Sequence, residues 1–229
     1  MAPRITRWLA MIGLAAIVSG CAHRPRADAP APVVEVEDTE AAPEWRVVAR
    51  ANDETRIDGI ADAWRRGLDE ASRTRGFRGL IAAEGALLDP GAALPRPAPP
   101  PGPYQCRVIK LGTAGRSGPP FVAYKPFFCY VEAEGPLLTI VKQTGSQRPA
   151  GRLYPDSDEN RLVFLGTLAL GNEDAPLPYG EDQDRDMAGV VERVAPFRWR
   201  LVIPFPRRES TLDVFELVPV TESARPAAG

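Results

Sequence analysis

The sequence predicts a β-dominated α+β fold, in which an N-terminal helix or helix pair is followed by about eight antiparallel strands forming a small barrel or sandwich. Three observations carry this. Apolar residues recur at helical spacing between Ile57 and Ala71, the run from Pro95 to Pro103 forbids regular structure, and short apolar segments split by Gly, Pro and Asp clusters fill the rest. No period of about 20–50 residues recurs, so the chain is not read as a repeat array.

The first element is a targeting segment. Arg4 and Arg7 precede an apolar run from Trp8 to Val18, and Val18-Ser19-Gly20-Cys21 places small residues before a thiol. That arrangement reads as a lipoprotein signal, with residues 1–20 removed and Cys21 lipidated. The run is too short to span a bilayer comfortably. Residues 21–44 are rich in Pro, Ala and charge and cannot bury enough surface to fold, so they read as a tether. As a flexible coil it would hold the following domain roughly 25 Å from the lipid. One globular domain is expected over 45–220, helical in 45–103 and β in 104–220, with 221–229 as a disordered tail.

Within the helical part, Asn52-Asp53 supplies a cap, and Ile57, Ile60, Ala61, Trp64, Leu68 and Ala71 form one apolar stripe. A second, shorter helix is expected from Leu80 to Leu88, ended by Asp89-Pro90-Gly91. Strands are expected near 104–111, 121–124, 126–133, 136–142, 161–170, 189–194, 197–203 and 211–218. Cys106 and Val108 share one face of the first, with Arg107, Ile109 and Leu111 on the other. The helix is expected to plug one end of a barrel or to lie against an open sheet.

Composition narrows the chemistry. The chain has 28 Lys+Arg against 30 Asp+Glu; losing Arg4 and Arg7 leaves 26 against 30, about −4. Scattered charge of both signs gives no basic stripe for nucleic acid. The one histidine, His23, falls in the tether, so imidazole-based triads, general bases and multi-histidine zinc sites are not expected in the fold. With Cys21 assigned to lipid, Cys106 and Cys129 remain as a pair in an oxidising compartment. A disulfide between neighbouring strands is the economical reading, and two buried free thiols are the alternative.

Several polar stretches were weighed as sites. Glu181-Asp182-Gln183-Asp184-Arg185-Asp186 alternates carboxylates as a calcium loop does, but Met187 stands at the turn-glycine position and Arg193 at that of the bidentate Glu. It reads as a solvated loop with internal Asp–Arg pairs. Asp156-Ser157-Asp158-Glu159-Asn160 reads as a polar hairpin turn, and the glycine-rich 112–118 as a hairpin loop, since Pro119-Pro120 blocks the helix a phosphate cradle needs. The stretch 142–151 is the most suggestive. Lys142, Gln147 and Arg148 would form the polar wall of a pocket for a carboxylate, phosphate or sugar, with Asp184 and Asp186 as further candidates. The structural alternative pairs Arg148 with Asp184 or Asp186 and uses the amides to staple a long loop. Trp199 is expected in the core, and Glu192 with the flanking arginines in cross-strand pairs.

The segments Tyr104-Gln105-Cys106-Arg107-Val108-Ile109-Lys110-Leu111-Gly112, Cys129, Gly145-Ser146-Gln147-Arg148-Pro149, Phe164-Leu165-Gly166, Arg185-Asp186 and Trp199-Arg200-Leu201-Val202 together resemble an uncharacterised family of exported bacterial proteins, domain of unknown function 4893. The resemblance covers about residues 45–220. It implies a small envelope domain and nothing about activity, so no functional residue is carried over. A looser likeness to lipocalin-type barrels rests on strand count alone, and their Gly-x-Trp motif near the first strand is absent.

The function expected is that of a membrane-tethered envelope lipoprotein whose β-domain binds a small ligand or an envelope component. The alternatives are an assembly module docking a protein partner, and a carboxylate-based hydrolase or transferase using Asp184, Asp186 or Glu192. An enzyme is not favoured, and no cofactor or metal is expected. The membrane would be reached through the N-terminal lipid. Ala22 follows Cys21 where an Asp favours inner-membrane retention, which points to the outer membrane facing the periplasm. A void lined by apolar groups with a convergent Lys142 or Arg148 would favour a ligand, and a filled interior would favour a protein partner.

Overall fold

Hairpin follows hairpin after Pro101, because each apolar segment ends at a turn and pairs most readily with its neighbour in the chain. The computed structural model describes residues 45–220 apart from 146, 172, 174, 208 and 209; the signal, Cys21, His23, the tether and the C-terminal tail lie outside the described residues. Its strands are β1 (Gly102–Leu111), β2 (Phe121–Ala123), β3 (Phe127–Glu134), β4 (Leu137–Lys142), β5 (Gln147–Pro155), β6 (Arg161–Leu170), β7 (Asp186–Ala195), β8 (Arg198–Pro204) and β9 (Leu212–Pro219). All pairings are antiparallel, and β9 returns to β1 with Tyr104 opposite Pro219 and Leu111 opposite Leu212. This closes an eight-stranded barrel, β1-β3-β4-β5-β6-β7-β8-β9. The extra strand β2 continues the line of β3 along the second half of β1, after an interruption at Tyr124-Lys125-Pro126.

Closure gives every strand an inner and an outer face. Tyr104, Cys106, Phe164, Val191, Trp199 and Leu201 belong to the inner cluster, and Trp199 meets Tyr104 edge-on at 6.1 Å between ring centres. Cys106 and Cys129 face inward on adjacent strands and form a disulfide, with Cα atoms 6.0 Å apart. Gly151 stands opposite Gly166, and the ring of Phe164 covers both. A Cβ at either glycine would come within 2.7 Å of that ring, so the two glycines admit an aromatic that a side chain would expel.

The outer face is covered on one side by helices α1 (Trp45–Val48), α2 (Ala51–Asp58), α3 (Ile60–Arg73) and α4 (Arg75–Ala83) and by a 3-10 turn, Gly85–Leu88. Ile57, Trp64 and Leu87 pack there against Leu165, Val190 and Val202, which alternate with the inner set. Strands β6 to β9 are thus buried on both faces and read as continuous apolar runs, whereas the outer face of β3 is exposed. The helices neither plug an end nor lie on an open sheet; they wrap the wall of a closed barrel.

Arg200 fixes this second layer. Its side chain is fully buried between β8 and the helices, donates to Glu192 at 2.7 Å, and gives Nη1 to the carbonyls of Leu87 and Asp89 at 3.1 and 2.7 Å. Its guanidinium carbon lies 4.9 Å from the centre of the Trp64 ring. The carbonyls at the end of the 3-10 turn therefore find their donor on the barrel. Arg107 reaches from β1 to both Glu84 and Glu216, and Arg198 also pairs with Glu216.

Four expectations need correction. The apolar stripe from Ile57 to Ala71 is divided at Gly59, where a Cβ would sit 3.3 Å from the Phe205 ring, so it forms α2 and α3. Arg50, without a side-chain bond, is the N-cap of α2, and Asp53 turns inward to a buried polar cluster instead of capping. The second helix begins at Arg75 and ends at Ala83, leaving Gly85–Leu88 as the 3-10 turn. The stretch 142–151, expected to leave a strand as a long polar loop, instead runs into a full strand, β5, bonded to β4 and β6.

Two outcomes are expected in urea unfolding. Arg200→Ala leaves Glu192 and the turn carbonyls without their buried donor and should cost about 3–5 kcal/mol. Replacing both Cys106 and Cys129 by Ser should cost on the order of 3 kcal/mol, since the cross-link restricts the unfolded chain.

Candidate functional site: the open end of the barrel

The two ends of the barrel differ in their connections. At one end the turns at 135–136 and 196–197 are tight, and the interior there is filled by Tyr104, Trp199 and Leu217. At the other end, where the strands are joined through 112–120, 143–146, 171–185 and 205–211, the strand ends line a cavity of about 110 Å³. Its inner wall comes from inward positions near the strand ends: Val108, Leu168, Met187, Ile203 and Phe215 are apolar, and Lys110, Lys142, Gln147 and Asp213 are polar. Asp184, Arg185, Pro206 and Arg207 form the rim, and Arg56 is supplied by α2.

Charge in this mouth is unbalanced, with five basic side chains, Arg56, Lys110, Lys142, Arg185 and Arg207, against Asp184, Asp186 and Asp213. Most are engaged. Lys110 lies 3.2 Å from Asp213, whose other oxygen accepts from Ser210. Arg56 donates to Asp53 and to the carbonyl of Asp186, and Arg185 pairs with Glu173 and with Asp182 at 3.1 Å. Lys142 differs. Its ammonium sits 4.3 Å from the centre of the Phe127 ring and has no carboxylate partner among the described residues. Burial pushes its pKa down, and the nearby Lys110 charge adds to the effect.

Beside the mouth lies a buried polar cluster. Tyr179 donates its hydroxyl hydrogen to Asp53 and accepts from the Arg50 amide at 3.0 Å. Burial raises the Tyr179 pKa, and its bond to Asp53 raises it further. The Asp186 carboxylate is fully buried; one oxygen accepts from Gly180 N–H at 2.9 Å, and the other lies 3.3 Å from Arg50 Nε without an aligned donor. Burial raises its pKa; the Gly180 bond and Arg50 oppose the rise, and the Asp53 charge adds to it.

The expected site residues thus separate. Lys142, Gln147, Asp184 and Asp186 all border this one cavity, although the Asp186 carboxylate is spent on Gly180 and Arg50. Arg148 does not line it. It donates to the carbonyls of Gly145 and Glu173, at 3.3 and 2.5 Å, and so ties two rim loops together; the expected pairing with Asp184 or Asp186 is replaced by these main-chain bonds. Glu192 is held by Arg200 under the helices, outside the cavity lining. Lys110 and Asp213 were not foreseen, yet the alternation that puts Cys106 and Val108 on one face carries Lys110 to the same side. Nothing in the local pattern marks Arg56, which depends on how α2 packs.

This geometry defines a class: a small up-and-down antiparallel β-barrel, packed at one end and hollow at the other, with an outer helical layer. The chain belongs to the family described as Domain of unknown function (DUF4893), whose model matches residues 45–217. No curated protein and no solved structure matches it.

The Asp186 cluster gives a pH signature. Because the folded pKa lies above the ordinary 3.8, the ionised carboxylate costs stability near neutral pH, and that cost is relieved as pH falls through the raised value. Asp186→Asn keeps an acceptor for Gly180. We expect it to be at least as stable as the native chain in urea at neutral pH, with the difference shrinking towards about pH 4.

Proposed function

We propose that this protein is a lipid-anchored bacterial envelope protein whose barrel takes up a small ligand through its open end. One observation supports the ligand reading above a purely structural one: the interior is hollow where Lys142 and Gln147 converge with apolar side chains, and filled elsewhere. Ligand sites are concave and mostly apolar, with few polar groups to orient the guest, and the mouth has this make-up. A barrel of eight strands has room for one small molecule. The anchoring rests on the sequence alone, through Arg4, Arg7, the apolar run and Cys21. Ala22 after Cys21 favours the outer membrane, and display there would place the mouth in the periplasm.

Glu192 and the Asp186 carboxylate are both bound to arginines, so they do not form an acid–base pair across one cavity. The geometry therefore supports binding over carboxylate catalysis.

Two measurements test this reading. Metabolic labelling with a fatty acid should mark the native protein and fail to mark Cys21→Ser; equal labelling of both would sink the anchor. Native mass spectrometry of the protein purified from its own envelope should show a retained small molecule that is lost on unfolding. A copurified protein with no small molecule would favour the assembly reading instead.

A further inference from the structure

Building on the ligand reading above, we propose that the guest is a small monoanion, a carboxylate-type head on a compact apolar body, and that Lys142 is the residue that anchors the head. Three independent features of the cavity converge on this. The first is charge. Of the five lysine and arginine side chains in the mouth, Lys110, Arg56 and Arg185 already face carboxylates and the charge of Arg207, on the rim, acts on Asp186, whereas Lys142 faces an aromatic ring and another cation, with no carboxylate partner among the described residues.

An ammonium held half-buried in this way is costly unless a counter-charge arrives with the guest. One anionic head meets that need. A cationic head would add to the repulsion between Lys110 and Lys142, and a neutral head would leave it unchanged.

The second feature is the wall. Val108, Leu168, Met187, Ile203 and Phe215 line the remaining surface, so the body of the guest is apolar. The third is depth. Lys142 stands opposite Cys129 in the β3–β4 ladder, and the disulfide with Cys106 closes the space beneath it. Trp199 and Phe164 pack the half of the barrel below, so the body of the guest is short. Gln147, on the adjoining strand, adds an amide that can donate to the second oxygen of the head.

The test uses three probes of one length that differ only in the head: pentanoate, pentanol and pentylamine. The reporter is built in, because the full chain has 3 methionines and only Met187 lies in the domain. Methyl-labelled methionine in the full-length chain gives a Met187 signal, assigned by its loss in Met187→Leu. Pentanoate should shift this signal in a saturable way, and the alcohol and amine should do so far more weakly. In Lys142→Met, pentanoate affinity should fall roughly tenfold to a hundredfold, the effect of one charge-assisted hydrogen bond. Lys142→Arg should restore most of it. The unfolding midpoint of Lys142→Met should equal or exceed that of the native chain, since an uncompensated buried charge is removed.

Each result is decisive. If no probe moves Met187, the ligand reading itself falls. If the alcohol or amine binds as well as pentanoate, the cavity is a ligand site but its guest is not an anion. If pentanoate binds Lys142→Met undiminished, Lys142 is not the anchor.

Discussion

The guanidinium of Arg200 is the point on which the two layers of this molecule depend. A buried cation is tolerated only where its donors are matched, and here Glu192 and the carbonyls that end the 3-10 turn provide the match, with the Trp64 ring against its face. Because those carbonyls belong to the helical segment and Arg200 to β8, the bond set cannot form in either layer alone. It locks the helices against β6 to β9 and leaves the opposite wall to solvent. The helical layer in turn places α2 beside the open end, where Arg56 and Asp53 join Asp186 and Tyr179. One interaction on the outside of the barrel thus orients groups at its mouth.

The barrel is divided along its axis into a packed and a hollow half. Large side chains and the Cys106–Cys129 bridge fill one half, and the inward side chains near the strand ends at the other line a cavity. Filling one end supplies stability, because close packing there is uninterrupted. That stability permits the mouth to hold what a core could not, a lysine without its own carboxylate beside a buried pair of aspartates.

Sequence patterning revealed much of this, and its failures have physical causes. Short apolar segments between turn residues locate most of the strands after Pro103, β6 to β9 as continuous runs because both of their faces are buried. The pattern misses β5, because Pro149 and Gly151 are poor strand formers and only the facing Gly166 and the Phe164 ring make them suitable. The division of the helical stripe at Gly59 likewise answers to Phe205, which is remote in the chain. At the site, Lys142 and Gln147 are legible as polar residues leaving a strand, but Arg148, the next residue, points the other way because strand neighbours face opposite sides. Reading 142–151 as a loop hid that distinction. Lys110 was within reach through the parity of Cys106 and Val108, whereas Arg56 required knowledge of how a helix sits on the wall.

Closure between β1 and β9 carries a consequence for how the chain can mature. The pairing joins nearly the first strand to the last, so β1 keeps an open edge, and β8 another, until residues 212–219 are present. Folding of the barrel is therefore gated by the arrival of the C-terminus, and slow in the manner of long-range strand pairing. A chain emerging from its N-terminus first would pass through a stage with both edges exposed to self-association. The stage before the last strand arrives, rather than the closed barrel, becomes the point at which such a protein is most vulnerable.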